Sequence, residues 1–363
     1  MDSPFISVLL PVRNEKNRIS ECLASIGCQN LPAGQFELHA IDGMSDDGTR
    51  EVLHNLRKNY ANLRIVDNPR KSVSAALNIG IREAKGEFLV RCDAHAFYSS
   101  DYLASCLGVA VETGAGNVGG HARPLPGGTT LMAWAIMLAH ESSFGLGGAR
   151  FRGEEHEGYV ETVWPGCYRK KLFEKVGGYN ELLPRSEDID LNARLADAGY
   201  TCYLSRRIKA WYYCRPDLAS LFCQRLSDGI GIARTLFVNQ RAVKSRHLIP
   251  LVFISSLIML AGLSVHPAAR LLFAVELSLY GSASIYFAGR SFVAESGRQP
   301  GVPEDGRAVT VKKPGAAIML PIVFGALHCA YGVGTIIGLA TLPLFIRKSM
   351  RLKKALATGA GSR

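Results

Sequence analysis

Along the first 120 residues, apolar positions come in short unbroken runs separated by segments of helical spacing. FISVLLPV, from residue 5, reads as a buried strand. EKNRISECLASIGCQ follows with apolar Ile19, Leu23 and Ile26 on one helical face. FELHAID is a second strand, SDDGTREVLHNLRKNY opens a helix, and LRIVDN is a third strand. SVSAALNIGIREAKG is a helix that Gly86 is placed to cap, and EFLVRCD is a fourth strand. This βαβαβαβ order predicts an α/β layer with a mostly parallel central sheet. Ligands of such sheets bind beyond the carboxyl ends of the strands, where Pro11 to Glu15, Asp42 and Asp93 all fall.

The pattern loosens between residues 120 and 235, which are rich in Gly, Pro and aromatics. TLMAWAIMLAHESSFGLGGARF reads as an amphipathic helix running into a glycine loop. RSEDIDLNARLADAGY reads as a helix with acids in its first turn, where the helix dipole favours negative charge.

After residue 235 the pattern changes again. Residues 248–265 carry no charge, and 269–288 form a second apolar run with the single acid Glu276. Each is near the ~20 residues that a helix needs to cross a bilayer. HPAAR between them predicts a tight turn and hence a transmembrane hairpin. A polar loop with Arg290, Arg298, Arg307, Lys312 and Lys313 leads to a third apolar segment, 317–346. The tail, 347–363, is basic and has no acid. With the first 235 residues cytosolic, two crossings leave the basic loop inside, as the bias of cytosolic loops toward Lys and Arg requires. A third plain crossing would put the basic tail outside. A re-entrant, interfacial or strained-hairpin form is therefore expected for 317–346. The organisation expected is a catalytic domain over 1–235, a membrane region over 236–346 and the tail.

Composition supports this division. The chain is 48% hydrophobic with mean hydropathy +0.09 and a formal net charge of +11. A basic surplus points to nucleic acid, an anionic membrane surface or phosphate-bearing substrates. Much of it flanks the apolar runs, which disfavours a nucleic-acid binder and favours a membrane. Nine scattered cysteines with no CxxC pair fit reduced thiols in the cytosol, and neither a disulfide framework nor a zinc site. The run from Phe5 to Val12 is too short for a signal peptide.

Three places could carry chemistry. Asp42 opens DGMSDDGT at a strand end, where a carboxylate can accept hydrogen bonds from a base or ribose. Alternatively it belongs to a turn in which Asp46 or Asp47 caps the next helix. Asp93 and His95 are spaced i, i+2, so an extended chain would point both at one divalent cation. Alternatively Asp93 is a turn cap and His95 is merely exposed. Glu187 and Asp188 open a helix; they either satisfy its dipole or supply a general base for an acceptor hydroxyl.

Six segments in order are similar to family 2 glycosyltransferases of the GT-A fold, over roughly residues 5–235. They are PVRNE, DGMSDDGT, SAALNIG, EAKGEFLVRCDAH, GCYRKKLFEKVGGYNE and SEDIDLNARLADAGY. The resemblance implies a nucleotide-sugar donor, expected to be a UDP-sugar, bound by Pro11, Glu15, Asp42, Asn78 and Asp93. It implies a divalent metal, Mg or Mn, at Asp93 and His95. It also implies Asp188 as the base of an inverting transfer.

Two departures stand out. His95 replaces the family's second aspartate, and Leu77 replaces its A-R-N arginine, leaving Arg70 or Lys71 to compensate. A neutral imidazole still binds such a metal but adds no negative charge, and makes binding pH-sensitive. The Q-x-x-R-W of processive synthases is absent, with Gln224-Arg225 the nearest fragment, which favours one sugar per visit. The D-A-H motif, SSFGLGGARF and the C-terminal hairpin look most like the succinoglycan-type branch. That implies extension of a lipid-linked saccharide in exopolysaccharide synthesis, at the cytosolic face of the inner membrane. Trp134, His140, Trp164 and Tyr168 are candidates for the acceptor groove. The rival readings are a polyprenyl-phosphate sugar transferase and a non-catalytic membrane scaffold that retains the fold.

Overall fold

A computed structural model describes residues 5–146, 156–297, 313 and 315–357. The second half of the expected glycine loop, most of the basic loop and the end of the tail lie outside these residues. The four expected strands form as β1 (Ile6–Val12), β2 (Phe36–Asp42), β3 (Leu63–Asp67) and β4 (Phe88–Arg91). They lie in the parallel order β3-β2-β1-β4. The helices between them are α1 (Ile19–Gly27), α2 (Thr49–Leu56) and α3 (Val73–Glu83). Every residue of β2 is buried, the polar Glu37, His39 and Asp42 included, as in a sheet covered on both faces.

The sheet does not stay mostly parallel. Beyond β4 it continues through β8 (Trp164–Arg169), β6 (Asn117–Leu125), β9 (Cys202–Tyr213) and β5 (Ala96–Tyr98), with β7 (Gly158–Val160) also on β9. The β4/β8, β6/β8, β5/β9 and β7/β9 pairs are antiparallel and β6/β9 is parallel, so the nine-stranded sheet is mixed. These later strands are hard to read because they break the period-2 pattern. WPGCYR holds a proline and a glycine, and the β6/β9 register shifts between Gly119 and His121.

Gly86 also differs from expectation. The chain leaves α3 at Ala84, and Gly86 does not cap it. Instead its N–H donates to Ser7 Oγ at 2.8 Å. A Cβ there would lie 2.5 Å from the Ser7 nitrogen, so only glycine lets this backbone pass β1.

The helices α4 (Tyr102–Thr113) and α5 (Leu131–Glu141) share one core with α1 and α2, while α6 (Leu172–Val176) and α7 (Glu187–Asp197) share another with α3; α8 (Leu218–Val238) follows. The C-terminal apolar segments become α9 (Ile249–Gly262), α10 (Pro267–Gly297) and α11 (Leu320–Ala340). A basic helix, α12 (Leu342–Ala357), follows. By length and composition, Pro267–Val293 and Ala316–Ala340 could cross a membrane. The expected first arm is shorter: α9 has 14 residues, or about 21 Å, against a hydrocarbon core of about 30 Å.

The third apolar segment opens with a 3-10 turn (Ala316–Met319), continues as α11 and breaks at Thr341 into α12. It lies directly on α8. Added Cβ atoms at Gly229 and Gly334 would sit 2.1 Å and 2.2 Å from carbonyl oxygens of the opposite helix. Small residues therefore set this close crossing, as they do between helices in lipid.

Candidate active site

A cleft of about 1670 Å³ opens beyond the carboxyl ends of β1, β2 and β4. Two loops at its rim are stitched together by residues of the first two motifs. Asn14 Nδ2 donates to Asp46 (2.9 Å), and the Asp46 N–H donates back to Asn14 Oδ1 (3.1 Å). The Glu15 N–H donates to Thr49 Oγ1 at 2.8 Å. The N-cap of α2 is Gly48, and Asp47 just before it accepts the Thr49 N–H at 2.9 Å.

Asp42 is fully buried beneath this rim. It accepts from Ser45 Oγ (2.6 Å) and Arg50 Nη1 (3.1 Å), and Arg50 reaches on to Asp67 at 2.6 Å. Pro11 and Glu15 line the cleft, whereas Asp42 reaches it only through its neighbour Gly43.

The strand-end cluster is held by a residue to which the sequence reading gave no role. Arg91, the last residue of β4, donates Nε to Asp93 Oδ1 at 3.2 Å and Nη1 to Glu187 Oε1 at 3.1 Å. Trp164 Nε1 donates to the other Asp93 oxygen at 2.7 Å. Burial would raise the Asp93 pKa, but Arg91, then His95 and the indole N–H, bring it below the usual carboxylate value. Burial raises Glu187 above its usual value despite Arg91, and the nearby Asp188 charge adds to the rise. The signal for Arg91 was present: a lone arginine ending an apolar strand needs carboxylate partners if it is buried.

His95 reaches the cleft by another route than expected. The chain does not stay extended after Asp93; it turns at Ala94–His95, and the Ala96 N–H closes onto the Asp93 carbonyl at 3.1 Å. The imidazole Nδ1 then lies 3.2 Å from Glu15 Oε1. Burial would lower the His95 pKa. The Glu15 hydrogen bond and the Asp93 and Glu15 charges outweigh it and raise the value above 6.5. Among the described residues no three His, Cys, Asp or Glu side chains converge as a metal cage. Asp93 and His95 fit a two-ligand site, since carboxylate oxygens accept further bonds and His95 Nε2 is free of Glu15. Such a site suits a cation that takes its remaining ligands from phosphate and water.

Asp188 is brought to the same cleft. Ser186, in the left-handed region at φ 64°, turns the chain into α7, where Glu187 goes inward to Arg91 and Asp188 lines the cleft. Asp188 Oδ1 accepts the Ile189 N–H at 2.9 Å.

Asn78 is not at the cleft. Its side chain is spent on the Tyr179 backbone (2.8 and 2.9 Å) and on Glu181 (2.9 Å). In the last motif, Asp190 holds Arg194 at 3.0 Å, and Arg194 Nη2 donates to the Gly178 carbonyl at 2.8 Å. These motif residues build the scaffold. Arg70 and Lys71 line the cleft where Leu77, fully buried, cannot. Of the aromatic candidates, His140 and Trp164 line it, while Trp134 and Tyr168 are buried away from it.

The family described as Glycosyl transferase family 2 matches residues 7–177. The chain is 31% identical to the succinoglycan biosynthesis protein ExoA of Rhizobium meliloti (strain 1021), over 67% of this chain and 74% of that protein. It is 26% identical to a dolichyl N-acetyl-alpha-D-glucosaminyl phosphate 3-beta-D-2,3-diacetamido-2,3-dideoxy-beta-D-glucuronosyltransferase of Methanococcus voltae, over 72% and 83%. In fold it is similar to the mannosyltransferase PcManGT from Pyrobaculum calidifontis, with a TM-score of 0.53 at 18% identity, covering 92% of this chain and 87% of that one. With a mixed sheet whose strand ends carry Asp42 and Asp93, and with Asp188 of α7 facing the same cleft as Asp93, the chain belongs to the family 2 glycosyltransferases.

Proposed function

We propose that this glycosyltransferase is a membrane-associated, inverting enzyme that adds one sugar from a UDP-sugar to a lipid-linked saccharide, in exopolysaccharide synthesis. The observation that carries this reading is the link Asp93–Arg91–Glu187, which ties the strand-end carboxylate to the turn bearing Asp188. The donor's nucleotide lies over Pro11, Glu15 and Asp42, and its diphosphate beside Asp93 and His95. A divalent Mg or Mn ion held by Asp93 and His95 would neutralise charge on the leaving diphosphate. Asn78 contributes by fixing the Tyr179–Glu181 loop and not by touching the donor.

Glu187 is committed to Arg91, so Asp188 is the base. It takes the proton of the acceptor hydroxyl as that oxygen bonds to the anomeric carbon from the face opposite the departing diphosphate. The bond from the anomeric carbon to the phosphate oxygen breaks, and its electron pair leaves with the nucleoside diphosphate. Arg70 and Lys71, at the donor side, offer positive charge to the phosphates.

The catalytic unit covers residues 1–235, the membrane region 236–346 and the basic tail 347–363. The unit faces the cytoplasm at the inner membrane. Extension of a lipid-linked saccharide, as distinct from transfer to a bare polyprenyl phosphate, is favoured by the relatives named above, one of which acts on a dolichyl-phosphate-linked sugar. The test is a donor screen that measures nucleoside diphosphate release with lipid-linked acceptors, followed by product mass. A product of lipid phosphate plus one sugar would assign the other reaction. No release with any donor and acceptor would favour a scaffold.

A further inference from the structure

The α8–α9 connection, residues 239–248, plays no part in the donor chemistry. It is roped to the catalytic unit. Asn239 Nδ2 donates to Asp190 (3.0 Å), Arg241 pairs with Asp197 (2.9 Å), and Arg246 pairs with Glu161 (2.8 Å). These ties leave Arg241, Lys244 and Arg246 lining the cleft beside Arg185 and Arg225. Arg185 and Arg225 share one carboxylate, Asp228, at 3.5 and 2.9 Å. Five cations thus meet three pairing acids. Lys244 has no acidic partner among the described residues. Burial, and then the Arg246 and Lys244 charges, push the His247 imidazole down to about 4 against the opposing pull of Glu161. The helix that starts just after it, α9, has no side-chain cap on its first N–H groups.

This end of the cleft also reaches the apolar helices. Tyr331 of α11 lines it, with the Arg225 guanidinium 5.1 Å over its ring. Close by, α9 crosses α11, where a Cβ on Gly332 would lie 2.4 Å from the Pro250 oxygen. Immediately after His247, Ile249 and Val252 are 64% and 66% exposed. Surplus positive charge set directly against exposed apolar surface suits an amphiphile whose phosphate joins a hydrocarbon chain.

We propose that Lys244 and Arg246, at the junction with α9, bind the phosphate or diphosphate of the lipid acceptor. Its hydrocarbon runs along α9 and its sugar end turns into the cleft toward Asp188. The site fixes the distance between lipid phosphate and reacting hydroxyl, so it would select acceptors by saccharide length. This inference rests on the acceptor being lipid-linked.

The test uses the full chain in detergent micelles with geranylgeranyl diphosphate as probe, and inorganic diphosphate, geranylgeraniol and UDP as controls. The expected result is that the probe binds more tightly than inorganic diphosphate or geranylgeraniol. Lys244→Glu should weaken it at least about tenfold and Lys244→Arg hardly at all, as for loss of one charged phosphate contact. UDP binding, which also reports folding, should stay within about twofold, since Lys244 is not among the donor contacts proposed above. Three results would overturn the site: a probe bound no better than inorganic diphosphate, Lys244→Glu without effect, or an equal loss of UDP binding. Binding needs no turnover. A chain that binds the probe in this way yet releases no nucleoside diphosphate with any donor sinks the proposed reaction and leaves the site standing.

Discussion

The parallel half of the sheet ends in buried carboxylates at both edges, and the two are built differently. At the amino ends, Ser7 lies opposite Glu37 in the β1/β2 register. Glu37 accepts from Ser7 Oγ (2.7 Å) and the Lys85 N–H (2.6 Å), and lies 3.1 Å from His39 Nε2. Every contact is short, fixed and closed off from the cleft. At the carboxyl ends, Asp93 and Glu187 are held by one guanidinium, and Asp93, His95 and Asp188 face the cleft. Glu37 spends its oxygens on a hydroxyl, a backbone N–H and an imidazole, away from the cleft. Asp93, held by the Arg91 guanidinium and the Trp164 indole N–H, keeps lone pairs free, and its pKa is lowered. The same residue types therefore brace the fold at one edge and wait for substrate at the other.

The sharpest way to break this contrast is at Asp188. Asp188→Asn removes the base but keeps the shape and the Ile189 contact. The transfer rate should fall roughly 10²–10⁴-fold, the usual worth of a positioned base. UDP affinity, measured by titration, should hardly change. Transfer at the wild-type rate would remove Asp188 from the chemistry.

Arg91 comes next. Arg91→Leu strands Asp93 and Glu187 in a low-dielectric site without their shared cation. Breaking a buried pair in this way costs about 3–5 kcal/mol. Thermal unfolding should show the loss, and transfer should fail even at temperatures where the chain is folded. A variant that keeps both stability and activity would mean that the two carboxylates do not need a common anchor.

The carboxyl edge was legible in the sequence because its chemistry follows the strands directly. The apolar runs ending at Val12, Asp42 and Arg91 were readable, and so was the clustering of Glu15, Asp42 and Asp93 at one edge. What the residues do to one another was not. Asn14, Asp46, Thr49, Asn78 and Arg194 sit in motifs that look like ligand contacts, yet each spends its side chain on neighbouring loops. Motif spacing does not distinguish a residue that touches substrate from one that positions a loop that does. Arg91 and Trp164 were missed as partners of Asp93 because they meet it across 71 residues of chain or from within one strand end, which no local pattern reports. Of the later strands, β8 was obscured by its proline and glycine, β5 by its three-residue length, and β9 by its shifted register against β6. The C-terminal helices were visible as apolar runs, but composition could not separate α11, clamped on α8, from α9 and α10, whose outer faces are exposed.

Asn78→Ala tests the scaffold reading of a motif residue. It removes three hydrogen bonds to the Tyr179–Glu181 segment and should cost about 1–3 kcal/mol in unfolding experiments, the penalty for stranding buried polar groups. KM for the donor should stay within about twofold at temperatures where the variant is folded, as a residue outside the cleft requires. A large rise in donor KM with unchanged stability would put Asn78 back among the donor contacts.

The smallest effect belongs to the amino edge. In Glu37→Gln the amide oxygen can keep Ser7 and Lys85, and the NH₂ can donate to His39 Nε2 in its acceptor tautomer. The cost at neutral pH should be only about 1 kcal/mol, with activity per folded molecule unchanged. Acid makes the edge visible. Burial opposes the Glu37 charge, but the Lys85 N–H, Ser7 and His39 outweigh it and lower its pKa below 4.5. A carboxyl group with a depressed folded-state pKa adds stability that is fully present above its unfolded value and is lost as pH falls through its folded value. The wild type should therefore lose its advantage over Glu37→Gln as pH drops below about 4.5. Melting temperatures compared from pH 7 to pH 3 should converge. A constant gap over that range would mean that the Glu37 charge contributes nothing and that the amino edge is held by shape and neutral hydrogen bonds alone.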